Sequence, residues 1–230
     1  MKKISIIIPL YNENSTICKV IERIKQFNKF EKEIIVVDDF SNDGTIISIK
    51  KFQDDKEVKI IFHDKNYGKG KAIRTALNYV TGDYVIIQDA DLEYDPANYN
   101  LMLKPFLEAD ADVVYGSRFL GGNGYVRIHF FWHLVANKIL TLLSNLITNL
   151  SMTDMETGSK AFKTSAIKSI ELFENRFGIE PEITVKLAKK RFKFFEVSIS
   201  YNGRSYEEGK KIRLKDAFRA VYCLIKYSFS

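Results

Sequence analysis

Asp89 and Asp91 are the residues whose type and spacing most directly indicate chemistry. They lie two residues apart, just after the apolar run 84–87, which predicts a buried strand. Two carboxylates with this spacing at a strand end can hold one hard cation and leave coordination sites open for diphosphate oxygens. We therefore predict a Mg²⁺ or Mn²⁺ site formed by Asp89 and Asp91. Glu93, two residues further on, is either a third oxygen ligand or simply exposed to solvent.

Two other residues suggest a bound nucleoside. Asp39 follows a second apolar run, 34–37, and its carboxylate can accept hydrogen bonds from a base or a ribose. The alternative for Asp39 is helix capping together with Ser41 and Asp43. Tyr11, after the first apolar run, offers an aromatic ring for packing against a base.

The segment 66–71, Asn-Tyr-Gly-Lys-Gly-Lys, indicates phosphate binding. It places two glycines and two lysines at the start of a predicted helix, where free backbone N–H groups and the helix dipole favour an anion. We expect Asn66, Gly70 and Lys71 to contact a phosphorylated donor. The segment has neither a Walker loop nor a GxGxxG pattern, so P-loop nucleotidases and dinucleotide-dependent dehydrogenases lack their signatures here.

These residues must be positioned by strands and helices that alternate along the chain. Apolar runs predict strands at 4–8, 34–37, 58–62, 84–87, 113–115 and 194–201. Apolar residues at helical spacing predict helices over 17–27, 72–80 and 130–150, and a further helix that begins near Pro181. This order predicts an α/β fold with a mainly parallel central sheet and helices on both faces. Ligands of such sheets collect at the carboxyl ends of the strands, so the polar residues after the first four strands are expected to share one rim.

The composition bounds the size and class of the protein. With 230 residues, of which 46% are hydrophobic, the chain can bury the core of one sizeable domain. We assign residues 1–205 to this domain and residues 206–230 to a basic loop and an amphipathic C-terminal helix. The formal net charge of +6 favours anionic partners, with ordinary solubility as the alternative. Cys18 and Cys223 lie far apart with no metal-binding spacing, which fits a reducing cytosol.

No segment of the sequence is predicted to be a signal peptide or to cross a membrane. The N-terminal apolar run 4–10 is short and lacks a cleavage site, so it is predicted to be a strand. Residues 128–150 approach spanning length but contain two histidines, three asparagines and a lysine, which hydrocarbon disfavours. Nothing indicates a nucleic-acid partner, and the oligomeric state is left open, including a homo-oligomer.

Two helices are candidates for peripheral membrane contact. In the long helix, Phe131 and Ile139 belong to an apolar stripe and Asn137 and Thr141 to a polar one, which predicts half-burial against the core, a second subunit or a membrane interface. The stretch 214–229 forms an apolar helical face flanked by lysines and arginines. Such a helix either lies on an anionic bilayer or docks on its own domain or a second subunit.

Nine stretches of the sequence together resemble glycosyltransferase family 2, in particular its branch of dolichyl- or polyprenyl-phosphate sugar synthases. In chain order they are IIIPLYNEN, IIVVDDFSNDGT, NYGKGKAIRTAL, YVIIQDADLEYDP, GSRF, FFWHLVANKILTLLSNLITNL, TDMETGSKAF, FGIEPEIT and EVSISYNGRSYEEGKKI. The resemblance extends over essentially the whole chain. It implies a single GT-A (nucleotide-diphospho-sugar transferase) domain.

The resemblance also implies roles for individual residues. Those implied to contact the nucleoside are Pro9, Tyr11, Glu13 and Asp39. Those implied to hold the metal ion and the diphosphate are Asp89, Ala90 and Asp91, with Glu93. Arg118 and Arg127 would face an acceptor phosphate. Arg204 and Lys210 or Lys211 would approach the donor phosphates from a C-terminal loop that orders when substrate binds, with surface charge as the alternative for these basic residues.

Similar enzymes invert the anomeric centre by direct displacement, which requires no covalent intermediate; the implied catalytic residues are Asp91, Arg118 and Asp154. If the acceptor is a hydroxyl group, it must lose a proton, and Asp154 or Glu156 is the candidate base. If the acceptor is a polyprenyl phosphate, it is already an anionic nucleophile. In that case these carboxylates would orient cationic groups.

The sequence therefore predicts a metal-dependent hexosyltransferase that uses a UDP- or GDP-sugar. The acceptor is predicted to be a dolichyl or undecaprenyl phosphate at the cytoplasmic membrane face, with the enzyme bound peripherally. One alternative keeps the donor but transfers to a saccharide or other hydroxyl in cell-surface polysaccharide synthesis. A more distant alternative is a sugar nucleotidyltransferase, whose glycine-rich, arginine-bearing loop is not found in residues 11–13.

Overall fold

The computed structural model describes residues 2–121, 127, 130–204 and 214–229. The strands are β1 (Lys3–Leu10), β2 (Glu31–Asp38), β3 (Val58–Phe62), β4 (Tyr84–Ile87), β5 (Val113–Ser117), β6 (Lys160–Lys163) and β7 (Phe194–Ser198). The helices are α1 (Ile17–Gln26), α2 (Thr45–Ile49), α3 (Lys69–Leu77), α4 (Tyr99–Glu108), α5 (Phe131–Thr148), α6 (Thr164–Lys168), α7 (Ile179–Lys189) and α8 (Leu214–Phe229).

The strands form one mainly parallel sheet in the order β3-β2-β1-β4-β6-β5-β7. Strand β6 runs antiparallel to both of its neighbours, β4 and β5, and the other neighbouring strands are parallel. The prediction of a mainly parallel α/β sheet is therefore confirmed, although β6 was not predicted. The predicted last strand is shorter than expected, because β7 ends at Ser198 opposite Ser117, and Tyr201 forms only an isolated bridge with Tyr94.

The core lies on both faces of the sheet. Alternate residues of β1 belong to two separate clusters: Ile6 and Ile8 pack with the buried residues of α1 and α4, whereas Ile7 packs with those of α3 and α7. Strands that are covered on both faces read as continuous apolar runs, which explains the sequence of β1 and β2. The predicted helix layers on both faces of the sheet are thus confirmed.

Helix α5 is half-buried as predicted, but its polar stripe faces the protein. Thr141 and Ser144 are buried, whereas Leu142 and Leu146 are exposed. The inward residues make specific hydrogen bonds, such as those between the Asn145 side chain and the backbone of Met152. Helix α8 packs against α5 and α7. Among the described residues, no helix has both the length and the apolar character needed to cross a bilayer.

Candidate active site

A cavity of about 840 Å³ opens at the carboxyl ends of β1, β2, β4 and β5. The convergence predicted for the first four strands is observed after β1, β2 and β4, and the loop after β3 contributes Asn66 to the same lining. The end of β5 adds Arg118. The predicted site residues in its lining are Pro9, Tyr11, Glu13, Asp39, Asn66, Asp89, Ala90, Asp91, Glu93, Arg118 and Arg204.

The loops after three of the strands contain non-glycine residues in the left-handed region. These residues are Asn12 (φ 49°), Phe40 (φ 67°) and Leu92 (φ 62°). Each is next to a predicted site residue: Asn12 to Tyr11, Phe40 to Asp39, and Leu92 to Asp91. This conformation is unfavourable for residues with a Cβ atom and persists where the surrounding structure enforces it. The strain thus lies where the chain turns its polar side chains toward the cavity.

Asp39 joins the end of β2 to the loop before α3. Its Oδ1 accepts hydrogen bonds from the backbone N–H of Tyr67 at 2.9 Å and lies 2.7 Å from His63 Nδ1, while its Oδ2 accepts from Gly68 N at 2.6 Å. Asn66 donates to the Asp39 carbonyl at 3.1 Å. Asp39 therefore fixes the 66–68 loop as well as lining the cavity. The alternative considered for Asp39, helix capping with Ser41 and Asp43, does not fit the contacts: at the start of α2 the Thr45 N–H donates to Asp43, and the Ser41 N–H donates to Asp38.

The cation that lines the cavity from this loop is Lys69, whereas Lys71 was predicted. Helix α3 begins at Lys69, so Lys71 is turned about 200° around the helix and is outside the cavity lining. Gly70 is also outside the lining; a Cβ atom there would lie 2.3 Å from the Glu174 carbonyl oxygen, so its role is close packing. Lys69 Nζ lies 2.9 Å from Asp89 Oδ1 and 3.0 Å from Glu180 Oε1.

A second basic residue, Arg204, lies among the acidic residues. Its Nη2 is 3.0 Å from Glu13 Oε1 and 3.0 Å from Asp91 Oδ2, and its Nε is 3.3 Å from Glu93 Oε1. Even so, burial and the negative charges of Asp89 and Glu93 raise the pKa of Asp91 to about 7, although the Arg204 charge opposes this shift. The carboxylates around Arg204 therefore carry more negative charge than this one guanidinium group can neutralise.

The residues of this cluster fit a divalent cation bound together with phosphate. The groups of Asp89 and Asp91 are hard oxygen donors, and a Cβ atom on Gly158 would lie 2.2 Å from Asp89 Oδ2, so glycine keeps the space beside this carboxylate open. Over the described part of the chain, no three acidic, histidine or cysteine side chains are arranged as a metal site. Mg²⁺ commonly uses one or two carboxylates and takes its other ligands from substrate phosphates and water. Glu93 is engaged elsewhere, because Tyr201 donates to its Oε2 at 2.6 Å.

Arg118 is held at the end of β5 by Asp154. Arg118 Nε and Nη2 each donate to the Asp154 carboxylate at 2.7 Å, and the Arg118 backbone N–H donates at 3.1 Å. Asp154 is fully buried and lies behind Arg118, outside the cavity lining. Burial raises the pKa of Asp154, but the charge and hydrogen bonds of Arg118 outweigh burial and lower it below its ordinary value. This geometry favours an orienting role for Asp154 over that of a proton-accepting base.

One predicted basic contact, Arg127, is not in the cavity lining. Arg127 is exposed and donates to the Gly203 carbonyl at 3.0 Å, which ties it to the segment next to Arg204. Lys210 and Lys211, also predicted to approach the donor phosphates, lie outside the described residues.

Sequence reasoning missed several residues that line the cavity, among them Lys69, Glu180 and Tyr201. Tyr201 contacts Glu93 through its hydroxyl group, and its ring lies 5.2 Å from the Arg118 guanidinium carbon. Lys69 belongs to the segment 66–71 that was predicted to bind phosphate. Choosing Lys69 over Lys71 as the residue that lines the cavity required knowing that α3 begins at Lys69. Glu180 precedes Pro181 at the predicted helix start, and nothing in the sequence indicates that Lys69 pairs with it.

The chain is similar to known proteins over most of its length. Residues 5–171 match the family model described as glycosyl transferase family 2. An uncharacterised protein of Methanocaldococcus jannaschii is 31% identical over 219 residues, which cover 90% of this chain and 93% of that protein.

Two named relatives are longer than this chain. A dolichol-phosphate mannosyltransferase of Pyrococcus furiosus is 27% identical over 98% of this chain, and the match spans 64% of that enzyme. An undecaprenyl-phosphate 4-deoxy-4-formamido-L-arabinose transferase of Photorhabdus laumondii is 28% identical over 91% of this chain, and the match spans 63% of its length.

The fold is similar to a solved glucosyl-3-phosphoglycerate synthase of Mycobacterium tuberculosis, whose crystal structure contains Mn²⁺, UDP and glucosyl-3-phosphoglycerate. The TM-score is 0.76 at 20% sequence identity, with 99% of this chain and 80% of that chain covered. The GT-A architecture implied by the sequence is thereby confirmed.

Proposed function

The chain belongs to glycosyl transferase family 2, and we propose that it transfers a hexose, with inversion, from a UDP- or GDP-sugar to a polyprenyl phosphate at the cytoplasmic face of a membrane. The names of the two longer relatives support a lipid phosphate as the acceptor. One observation carries the proposal: the guanidinium group of Arg118 is held in place inside a cavity that has an apolar outer wall. That wall continues into exposed apolar residues on the outside of the protein.

The donor side of the proposal rests on the cavity between β2 and β4. Tyr11 and Asp39 would contact the nucleoside, and Lys69 and Arg204 would approach the diphosphate. A divalent cation, Mg²⁺ or Mn²⁺, held by Asp89 and Asp91 would offset the charge that develops on the leaving diphosphate. Lys69 keeps its proton, because the charges of Asp89 and Glu180 raise its pKa well above the ordinary value despite burial.

The acceptor side rests on Arg118. Nε and Nη2 of Arg118 are held by Asp154, which leaves Nη1 with no hydrogen-bond partner among the described residues and able to bind an anionic oxygen. A phosphate monoester needs no general base, and Asp154 is paired in a way that makes it a poor one. The proposal therefore assigns Arg118 to the acceptor phosphate and Asp154 to its orientation.

The apolar wall of the cavity supports a lipid as the rest of the acceptor. Trp132, Leu134 and Leu140 line the cavity from α5, Phe119 lines it from the end of β5, and Phe177 from the loop before α7. Trp132 belongs both to this wall and to the outer surface, since 76% of the residue is exposed. A prenyl chain whose phosphate contacts Arg118 would pass along this wall.

The outer surface, which we call the apolar patch, supports contact with a bilayer. We use this name for the exposed apolar residues of two helices that pack against each other: Phe131, Trp132, Ile139, Leu142 and Leu146 of α5, and Phe218, Tyr222, Ile225 and Phe229 of α8. An exposed apolar surface of this kind is typical of an interaction site. Arg219 and Lys226 lie on the same turns of α8. Both pair with the buried Glu174, but their side chains are 50% and 40% exposed, so they would also contact anionic headgroups.

The proposal is tested by incubating the protein with vesicles that contain a polyprenyl phosphate, a radiolabelled sugar nucleotide and Mn²⁺. The label is expected to enter the organic phase with release of a nucleoside diphosphate, and EDTA is expected to prevent this transfer. Asp91→Ala should abolish transfer, whereas Asp83→Ala, at the amino end of the same strand, should retain it.

Three results would count against parts of the proposal. Label that enters only a water-soluble glycan would contradict the lipid acceptor. Release of pyrophosphate would indicate a nucleotidyltransferase. Undiminished transfer by Asp91→Ala would remove the role given to that carboxylate.

A further inference from the structure

Two glutamates of the cavity lining, Glu156 and Glu180, each have a buried oxygen without a hydrogen-bond partner among the described residues. The atoms are Glu156 Oε1 and Glu180 Oε2. Glu180 is only 6% exposed. Buried polar atoms in folded proteins are nearly always hydrogen-bonded, so an exception at the wall of a cavity suggests that a ligand supplies the missing partner.

Glu180 is fixed on the side of the cavity where the diphosphate is proposed to bind. It lies in the first turn of α7, and its Oε1 is 3.0 Å from Lys69 Nζ. The same ammonium group is 2.9 Å from Asp89 Oδ1. Lys69 therefore links Glu180 to Asp89, and the ion pair leaves Glu180 Oε2 as the oxygen that can accept a hydrogen bond.

Glu156 is fixed on the side of the acceptor phosphate. It lies two residues after Asp154, which holds Arg118. The buried Lys160 ammonium donates to the carbonyl groups on either side of Glu156, those of Met155 and Thr157, and so holds the turn that carries it.

The two carboxyl groups differ in hydrogen-bonding capacity. Burial and the negative charge of Glu180 raise the pKa of Glu156 above its ordinary value, although the nearby charge of Lys160 opposes the shift, and this favours the protonated form of Glu156. A protonated carboxyl group can donate one hydrogen bond and accept others, whereas a carboxylate that pairs with an ammonium group, as Glu180 does with Lys69, only accepts. A hydroxyl group, which both donates and accepts, complements this pair.

We infer that Glu156 and Glu180 form a subsite for the hydroxyl groups of the sugar that is transferred. This inference rests on the proposed function, in which the sugar must lie between the leaving diphosphate and the attacking phosphate. Glu180 is linked to the diphosphate side by the Lys69 ammonium group, which also pairs with Asp89. Glu156 follows Asp154, which holds Arg118, by two residues, and the charge of Arg118 acts on the Glu156 carboxyl group. The pair thus occupies the part of the cavity where the sugar ring is required, and it would select among sugars by the positions of their hydroxyl groups.

The test compares the binding of sugar nucleotides with that of the matching nucleoside diphosphates. Isothermal titration calorimetry with Mn²⁺ would use UDP-glucose, UDP-galactose and GDP-mannose, with UDP and GDP as references without a sugar. Glu156→Leu should weaken binding of the preferred sugar nucleotide about tenfold, as expected for a lost buried hydrogen bond, and leave the nucleoside diphosphate affinity unchanged. Glu156→Gln should retain most of the affinity, because an amide also donates and accepts.

Further variants keep the test decisive. Glu180→Leu removes the accepting oxygen and also the partner of Lys69, so it should weaken binding of both ligands but weaken the sugar nucleotide more than the nucleoside diphosphate. Glu22→Leu, exposed on α1, should change neither affinity. Equal weakening of sugar nucleotide and nucleoside diphosphate, or no weakening, in both Glu156→Leu and Glu180→Leu would overturn the subsite. So would a wild-type protein that binds no sugar nucleotide more tightly than the free diphosphate. Absence of any binding of UDP and GDP with Mn²⁺ would instead overturn the proposed function, and the subsite with it.

Discussion

Replacing Asp154 by asparagine tests the view that this residue holds Arg118. The substitution keeps the shape of the side chain but removes the charge of a fully buried carboxylate that accepts three hydrogen bonds from Arg118 and one from Asn137. Removing one partner of a buried ion pair costs about 3–5 kcal/mol, because the other charge is left uncompensated. The asparagine carbonyl can still accept a hydrogen bond, so we expect a loss of about 3 kcal/mol in the free energy of unfolding.

Urea unfolding of the wild type and Asp154→Asn at pH 7 measures this loss. The slope of the unfolding free energy against urea concentration should be the same in both proteins, which would show that the substitution does not alter the denatured state. For a chain of this size, a loss of about 3 kcal/mol lowers the melting temperature by about 6–12 °C. The folded-state pKa of Asp154 is lowered, so its stabilising contribution is present above the unfolded-state pKa and is lost as the pH falls through the folded-state pKa. The difference between the two proteins should therefore shrink in acid. A difference below about 1 kcal/mol at pH 7 would refute the buried ion pair.

Three further outcomes are expected. Gly158→Ala puts a methyl group 2.2 Å from Asp89 Oδ2, so calorimetry should show Mn²⁺-dependent nucleoside diphosphate binding weakened about tenfold or more; unchanged binding would contradict the metal site. Burial raises the pKa of Glu33, but hydrogen bonds from Ser5, Lys3 and Thr81 lower it to about 2, so the stability lost in Glu33→Gln at pH 7 should disappear as the pH falls from 4.5 toward 2 in urea titrations. The double variant Trp132→Ser/Phe218→Ser should bind anionic vesicles about tenfold or more weakly than the wild type in a sedimentation assay, because two exposed apolar side chains are lost. The control is Phe62→Ser, an exposed residue of the edge strand β3, and an equal loss of binding in this control would argue against the apolar patch.

The strands that position the site were predictable because they are buried on both faces. Strand β4, for example, consists of four consecutive buried apolar residues. Such a run is visible in the local sequence and can be identified as a strand without knowing which other strands it pairs with. Strand β6 gave no such signal: it has four residues, begins and ends with lysine, and is held by antiparallel pairing with β4 and β5, far away in sequence. Pairing of this kind is decided by the tertiary structure.

The carboxylates of Glu13, Asp39, Asp89 and Asp91 were predictable because each lies within a few residues of the end of a predicted strand. The partners of these carboxylates were not, since they come from other segments: Lys69 pairs with Asp89 and Arg204 with Glu13. The sequence also did not show which stripe of α5 packs against the protein, because amphipathic periodicity predicts two different faces but not which of them is buried. Hydrogen bonds such as that from Asn137 to Asp154 decide that orientation.

The position of Arg204 has a thermodynamic consequence for ligand binding. The protein supplies its own counter-ion to the carboxylates of Glu13, Asp91 and Glu93. Arg204 would therefore exchange with an incoming divalent ion, and the guanidinium released from Asp91 would find a new partner in the diphosphate. Linkage then requires ion and sugar nucleotide to strengthen each other's binding by the same factor. The affinity for the ion alone would accordingly understate its affinity in the presence of the donor.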